Sequence, residues 1–342
     1  MKLPQQCIRI FWVLALTAST LAFTSNASAQ TDNTDNFAGT YSFPGAPKLS
    51  TGGTLGQIRA SFRYPNSAYA TGGVSLRNRG AGNISVSGLP GPTTAAFLYW
   101  AVITPTAAVP AAASNIQIQR LFPGASAAVV IPGVPVGAGP GPCWLAGSTV
   151  TVFRAMVPLA VATGNGSYQL TILPGGTGLA NGANPWAAPF VTPAWEGASL
   201  VLIGPGTGLV SIYDTPLAGR TFVAPLNYSL ILPVPTAAGR TLLFDNIGAD
   251  GQHGFGRNDF NVGIADETTT IGILPIAGPG SDYNDSDWNG SSGLPLPELW
   301  DDTGHDITAA APPGTNLLNV RITQGGGGVL DCLVPVANVL QQ

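Results

Sequence analysis

The stretch from Ala95 to Thr104 reads AAFLYWAVIT, and it carries no charge. Aromatic and β-branched residues are dense in it, as they are in strands. Gly91-Pro92 precedes it and Pro105 follows it, so turn residues bound the run on both sides. We therefore predict that this stretch is a buried β-strand.

The same signals recur through the chain, and no stretch carries a sustained apolar stripe of helical period. Many short strands with Gly/Pro-rich loops between them predict an all-β fold, an antiparallel β-sandwich or jelly roll. The chain would form one large unit or two packed sandwiches, with a subdivision near residues 182–193. The other predicted strands are Gln57–Tyr64, Asn115–Phe122, Ser148–Phe153, Ser167–Leu173, Ser199–Ile203, Leu209–Tyr213, Tyr228–Leu232, Asn316–Thr323 and Val329–Leu340.

Charge is distributed unevenly along the chain. Residues 36–195 contain Lys48 and six arginines but no acid. Residues 196–342 contain 15 acids against four arginines, and twelve of those acids lie between Asp245 and Asp306. The basic half has no Lys/Arg run, which excludes a general nucleic-acid binder. A hydrophobic content of 45% with seven tryptophans excludes a disordered chain.

The first 29 residues have the pattern of a bacterial-type secretory signal. Lys2 and Arg9 give a positive start, Ile8 to Phe23 is an apolar core, and Ala27-Ser28-Ala29 supplies an A-x-A cleavage site. The core is shorter than a membrane anchor and small polar residues interrupt it. We therefore expect residues 30–342 to be exported, without a transmembrane segment, to the periplasm or the extracellular space.

Two cysteines remain after the signal, Cys143 and Cys332. In an oxidising compartment they can form a long-range disulfide. The alternative is a pair of buried free thiols, since free cysteine is among the most buried residue types.

The glycine-rich and histidine-based motifs do not indicate catalysis. Gly204-Pro205-Gly206-Thr207-Gly208 follows a predicted strand, but a phosphate-binding loop needs a helix after it, and Leu209–Tyr213 is predicted to be a strand. We interpret the glycine-rich segment as a hairpin loop. There is no G-x-S-x-G motif, and His253 and His305 are the only histidines.

The strongest chemical signal is Asp285-Ser286-Asp287-Trp288-Asn289-Gly290, which matches D-x-D-x-N-G, the first half of a calcium loop. Position twelve of that loop is Leu296 rather than glutamate, and prolines at 295 and 297 exclude the exit helix of an EF-hand. A calcium loop between strands remains, and a solvated acidic turn is the alternative. The predicted Ca²⁺ ligands are Asp282, Asp285, Asp287, Asn289, Glu298 and Asp301.

A second, weaker calcium candidate combines Asp245 and Asn246 with Asp250 and Asp259. These residues also supply oxygen ligands close together in the chain.

Paired carboxylates can instead act as the acid and base of a glycan hydrolase. Glu298 with Asp302, Asp285 or Asp287 would fill these roles, and His305 is a further titratable candidate.

Trp288 and Trp300 lie next to these acids in the sequence. They would anchor loops to the sandwich or stack on a sugar ligand.

Six segments follow one another along the chain in a set order: AFLYW at 96–100, GNGSY at 164–168, EGASLVL at 196–202, VSIYD at 210–214, LWD at 299–301 and DCL at 331–333. Together they resemble a bacterial secreted or cell-surface domain of unknown function, of the type found ahead of surface repeat modules. The resemblance covers about residues 95–341 and implies an all-β extracellular domain without an established activity.

The sequence favours an extracellular binding or structural protein, stabilised by Ca²⁺, that contacts envelope material, polysaccharide or another protein. The alternative is an extracellular glycan hydrolase that uses carboxylates of residues 282–306.

Overall fold

The AAFLYWAVIT stretch forms strand β4, Ala95–Thr104, and all ten of its residues are buried. Successive side chains of a strand point to opposite faces of the sheet. Leu98, Trp100 and Val102 enter one hydrophobic core, whereas Phe97 and Tyr99 enter another. An uninterrupted apolar run is what a strand covered on both faces requires.

The computed structural model describes residues 54–141, 145, 147–183, 185, 189–214, 225–249, 267–277, 288, 299–324 and 333–342. Strands make up 61% of these residues and helices 3%, which confirms the predicted all-β class. The helical elements are the single-turn α1, Ala111–Ser114, and a 3-10 turn at Thr308–Ala310.

The largest sheet has eight strands, and the described pairings within it are antiparallel. Seven follow the order β15-β12-β17-β10-β4-β8-β7, and β2 pairs with β10. Their bounds are Phe62–Ser75 (β2), Val134–Pro140 (β7), Thr149–Met156 (β8), Ala194–Asp214 (β10), Leu243–Ala249 (β12), Trp300–Asp306 (β15) and Val334–Gln341 (β17).

Two smaller sheets complete the fold. One has four strands, β3 (Ala81–Val86), β9 (Gly166–Ile172), β5 (Asn115–Phe122) and β6 (Val129–Pro132), in that order. The other has the order β1 (Thr54–Arg59), β11 (Leu226–Ile231), β16 (Leu317–Gln324), β13 (Glu267–Ile271) and β14 (Leu274–Ala277). The β1–β11 pair is parallel, and the other described pairs in these two sheets are antiparallel.

The hairpin predicted at Gly204–Gly208 is wrong. β10 runs through this segment as a single strand of 21 residues, and β2 pairs with both halves of it. The register shifts between Pro205 and Gly208, so the glycine-rich segment is a bulge in the strand rather than a turn. A Cβ at Gly206 would lie 2.5 Å from the amide nitrogen of Ala68, so the absence of a side chain permits this close approach.

The strand predicted at Gln57–Tyr64 is two strands in different sheets. Arg59 pairs with Ile231 in β11, whereas Phe62 pairs with Ile212 in β10. The chain therefore changes partner at residues 60 and 61, which the local apolar pattern does not reveal.

Three hydrophobic cores separate four layers of strands. A first core lies between the four-stranded sheet and the half of the large sheet that contains β4 and β8. A second core lies between the five-stranded sheet and the half that contains β12 and β17. The central core lies between those two halves of the large sheet. Because β10 contributes to all three cores, it links the layers.

Two ion pairs join the acid-free part of the chain to β10. The Arg77 guanidinium binds Glu196, and the two side chains are 6% and 0% exposed. Arg154 binds Asp214 in a partly buried pair. Arg77 also lies 5.0 Å from the centre of the Phe190 ring, a cation–π arrangement. The first two acids after residue 195 are therefore neutralised by arginines of the preceding segment.

Candidate functional site: acidic residues of strands β12 and β15

Strands β12 and β15 form an antiparallel pair that divides the acidic residues between its two faces. Asp245 lies opposite Gly304, and Asp302 lies opposite Ile247. Ile247 belongs to the central core, so Asp245 and Asp302 face that core as well. Asp301 and the other odd-numbered residues of β15 face the opposite side.

Asp245 and Asp302 meet side chains of β2 and β10 across the central core. Tyr69 lies near both carboxylates, and Thr71 and Ser199 lie near Asp302. We call these five residues the inter-sheet acidic cluster. It brings together oxygen atoms from both halves of the large sheet.

Asp302 is held in an unusual environment for a carboxylate. The residue keeps some exposed surface, but both carboxylate oxygens are buried and neither makes a hydrogen bond. Burial raises the pKa of Asp302 from 3.8 to about 6. The neighbouring Ser199 and Thr71 hydroxyls have the opposite effect and lower the pKa of Asp302. Neither hydroxyl reaches hydrogen-bond geometry with the Asp302 carboxylate.

Tyr69 is a neutral hydrogen-bond donor in the cluster. Burial raises the pKa of its phenol well above 10, and the charge of Asp245, a hydrogen bond to Asp245 and the charge of Asp302 raise it further. The phenol therefore stays protonated and donates a hydrogen bond to the Asp245 carboxylate.

The opposite face of β12 and β15 carries a second set of buried polar residues. The Tyr228 hydroxyl lies 3.0 Å from Asn338 Oδ1, and the Asn338 side-chain amide donates to Asn246 Oδ1, also at 3.0 Å. Asp301 is fully buried on this face, opposite Gly248 in the register. A Cβ at Gly248 would overlap the Trp288 ring, so this indole packs directly on β12.

Several residues predicted for the site lie outside the described residues. Of the predicted calcium ligands, the structure describes Asp301. The same limit applies to the disulfide and to the signal peptide. The residues concerned are Asp282, Asp285, Asp287, Asn289, Glu298, Cys143, Cys332 and residues 1–29.

The predicted catalytic residues Asp302 and His305 lie on opposite faces of β15. Asp302 pairs with Ile247 on the face of the central core, whereas His305 pairs with Phe244, a residue of the second core. Strand alternation therefore separates these two side chains across the sheet.

Trp288 and Trp300 are both 0% exposed. The Trp300 indole donates to Ser199 Oγ at 2.9 Å and packs on Gly197. A fully buried ring offers no face to a sugar, so the structure supports the packing interpretation of both residues rather than ligand stacking.

The weaker calcium candidate is also divided by strand alternation. Asp245 faces the central core, Asn246 faces the second core, and Asp250 and Asp259 lie outside the described residues. Within the described part of the chain, no three His, Cys, Asp or Glu side chains converge as ligands of one metal ion.

The hydroxyl residues of the inter-sheet acidic cluster come from distant strands. The one sequence signal of this cluster is Ser199, the polar residue of the apolar run SLVLI at 199–203. The structure buries this serine completely.

Asp302 is expected to make stability fall as pH rises from about 4 to about 6. The folded state, with the higher pKa, binds more protons than the unfolded state in this window. The stabilising contribution is therefore complete in acid and is lost as pH rises through the folded pKa, by at most ~3 kcal/mol. Urea unfolding in EDTA across this range measures the effect.

The control for this pH dependence is Asp302→Asn, which removes the titrating group while Asp245 and Tyr69 remain. The difference in unfolding free energy between wild type and this variant should change between pH 4 and pH 6. A difference that stays constant across the range would contradict the expected titration.

No protein-family model matches the sequence, and no characterised protein shows significant sequence similarity to it. Two solved structures show weak likeness, each at a TM-score of 0.24. They are a recombinant N-glycanase F (PNGase F), 9% identical over 81% of this chain and 96% of the other, and the ANX2 ectodomain from Arabidopsis thaliana, 8% identical over 81% and 89%. At this TM-score neither carries an argument about this chain. No described helix has the length and apolar character needed to cross a membrane.

Proposed function

We propose that this chain is an exported all-β binding or structural protein whose acidic segment, residues 282–302, holds Ca²⁺. The ligands would be the side-chain oxygens of Asp282, Asp285, Asp287, Asn289, Glu298 and Asp301. The observation that carries the proposal is the buried position of Trp288 against β12.

Trp288 is the fourth residue of the D-x-D-x-N-G motif, between Asp287 and Asn289. Its ring is fully buried and packs on Gly248. Gly248 lies opposite Asp301, which is also fully buried. Asp287 and Asn289 are therefore the sequence neighbours of Trp288. Trp288 in turn packs on Gly248, which lies opposite a third candidate ligand, Asp301. A solvated acidic turn would not need such an anchor.

The charge of this region also favours a cation. Twelve acids lie between Asp245 and Asp306, and Arg257 is the only lysine or arginine in that range of the sequence. The ion pairs described above use Glu196 and Asp214, outside this segment. Ca²⁺ prefers carboxylate and amide oxygens, which this segment supplies in excess.

The partner would be a polysaccharide, a cell-surface protein or envelope material outside the cytoplasm. The signal-like residues 1–29 support export. Two observations favour binding over glycan hydrolysis. Asp302 and His305 lie on opposite faces of β15, and both oxygens of Asp302 are buried from any substrate. Hydrolysis would be favoured instead if the protein turned over members of a glycan panel and Glu298→Ala abolished that activity without changing the melting temperature.

Calorimetric titration of the EDTA-stripped protein with Ca²⁺ is the test of the proposed function. We expect heat of binding and a higher melting temperature, since a ligand at 100 times its Kd stabilises the folded state by about 2.7 kcal/mol. The double variant Asp285→Asn/Asp287→Asn should lose the binding of one Ca²⁺. Glu267→Gln, which removes a carboxylate outside the segment, should not. Unchanged binding in the double variant would refute the proposed site.

A further inference from the structure

The four-stranded sheet β3-β9-β5-β6 has one buried face and one face at the protein surface. Alternate residues of its strands, such as Ile84, Leu170 and Ile118, belong to the first core. The residues between them are exposed or half-buried and point to the other side of the sheet. We call this second side the outer face of the four-stranded sheet. It shares no residue with the acidic segment 282–302.

Amide side chains are aligned across the outer face. Asn83 pairs with Gln169, and Gln169 pairs with Gln119, so the three residues lie side by side on adjacent strands. Neighbouring strands are about 4.8 Å apart, which gives these side chains a regular spacing. We call them the amide row. Thr171 and Gln117 form a second pair of polar residues two positions along the same strands. Binding groups at regular intervals fit a polymer of repeating units.

The outer face carries no charge. Arg120 is the only charged residue in the four strands. It pairs with Tyr168, which is fully buried in the first core, so Arg120 belongs to the inner side of the sheet. Its guanidinium donates to the Asn165 carbonyl at 2.7 Å. The surfaces of soluble proteins usually mix acids and bases. Because this face has neither, an ionic partner would find no complementary charge on it.

The chemistry of the amide row favours a partner rich in hydroxyl groups. Each side-chain amide has both a donor and an acceptor, and so does each hydroxyl of a sugar. An apolar partner would cover these groups without replacing their hydrogen bonds to water, which is unfavourable. Gln119 Nε2 donates to the Ser126 carbonyl at 3.0 Å, which orients this side chain.

Phe122 adds an apolar contact beside the amide row. Its side chain is 69% exposed. It pairs with Ser167, two residues before Gln169 on β9, so it lies on the outer face. An aromatic ring can cover the C–H face of a sugar while neighbouring amides bind the hydroxyls. Trp288 and Trp300 are fully buried and cannot serve in this way.

We propose that the outer face of the four-stranded sheet binds a neutral polysaccharide. Asn83, Gln169 and Gln119 form hydrogen bonds with its hydroxyl groups, and Phe122 stacks on a sugar ring. The inference rests on the proposed binding function and names the class of its partner. It does not require Ca²⁺ binding by residues 282–302.

Affinity electrophoresis in native gels tests the proposal with dextran, mannan, xylan and laminarin as neutral polymers and polygalacturonate as an anionic one. We expect at least one neutral polymer to retard the wild-type full chain. Asn83→Ala/Gln169→Ala should bind that polymer about 10-fold more weakly or worse, because two hydrogen-bonding groups are lost. Phe122→Ala should also bind more weakly. The matched control is Gln57→Ala/Asn319→Ala, which removes two exposed amides from the five-stranded sheet and should bind as wild type does.

Gln169→Glu gives a second test that preserves the shape of the side chain. It replaces the amide donor by a charge and should weaken binding as the double alanine variant does, including the case in which that variant fails to fold. Equal retardation of wild type and Gln169→Glu would overturn the proposal. So would retardation by polygalacturonate alone, or by none of the four neutral polymers.

The outcomes also separate this inference from the calcium proposal. A chain that binds no Ca²⁺ but is retarded by a neutral polymer would refute the calcium site and support the outer face as the binding surface, provided that Gln169→Glu loses the retardation. A chain that binds Ca²⁺ but is retarded by no neutral polymer would refute this inference alone. Asp285→Asn/Asp287→Asn should be retarded as strongly as wild type, because the four-stranded sheet contains neither residue.

Discussion

Replacing Trp300 by alanine is expected to lower the free energy of unfolding by about 3–5 kcal/mol. The indole is fully buried, belongs to the central core and packs on Gly197 of β10. Its removal leaves a cavity between β15 and β10 and deprives Ser199 of a hydrogen bond. Urea unfolding monitored by far-UV circular dichroism measures the loss.

Ile273→Ala is the control for this prediction, because the Ile273 side chain is 98% exposed. Its removal should change stability by less than about 0.5 kcal/mol. Trp300→Phe should fall between the two, since it keeps much of the packing but loses the donor to Ser199. A loss below 1 kcal/mol in Trp300→Ala would show that β15 is not held on β10 by this contact.

Replacing Arg77 by methionine is expected to cost about 3–5 kcal/mol, because it leaves the Glu196 carboxylate buried without its counter-charge. Glu196 is 0% exposed and its second carboxylate oxygen has no hydrogen-bond partner. Burial raises the pKa of Glu196, and the Arg77 guanidinium opposes that rise. The ion pair joins the end of β2 to the start of β10.

The double variant Arg77→Met/Glu196→Leu is the matched test of this mechanism. Removing both charges should restore at least half of the lost stability, because buried ion pairs are often replaceable by apolar residues. Arg321→Met, a change at an exposed arginine, should have little effect. A double variant as unstable as Arg77→Met would mean that packing, rather than the uncompensated charge, causes the loss.

Strands β4 and β5 were the most predictable elements of the fold. β4 and β5 have the bounds predicted from their residues, because both are rich in β-branched and aromatic or aliphatic side chains and prolines follow their last residues. β10 was not predictable as one strand. Its glycine-rich segment has the composition of a turn, and its extended path follows from pairing with β2, which is more than 100 residues away in sequence.

The acidic character of residues 245–306 could be read from the sequence, but its division between two faces could not. Asp301 and Asp302 are neighbours in the chain and point to opposite sides of β15. The partners of Asp302 come from β2 and β10, and register between distant strands determines those contacts. Local motifs contain no information on such partners.

The calcium site of the acidic segment is tested most directly by a crystal structure of the Ca²⁺-saturated protein with anomalous data. The account predicts an anomalous peak about 2.3–2.6 Å from carboxylate oxygens of Asp285, Asp287 and Asp301, beside the Trp288 ring. A structure at saturating Ca²⁺ in which these three carboxylates have no anomalous peak between them would contradict it.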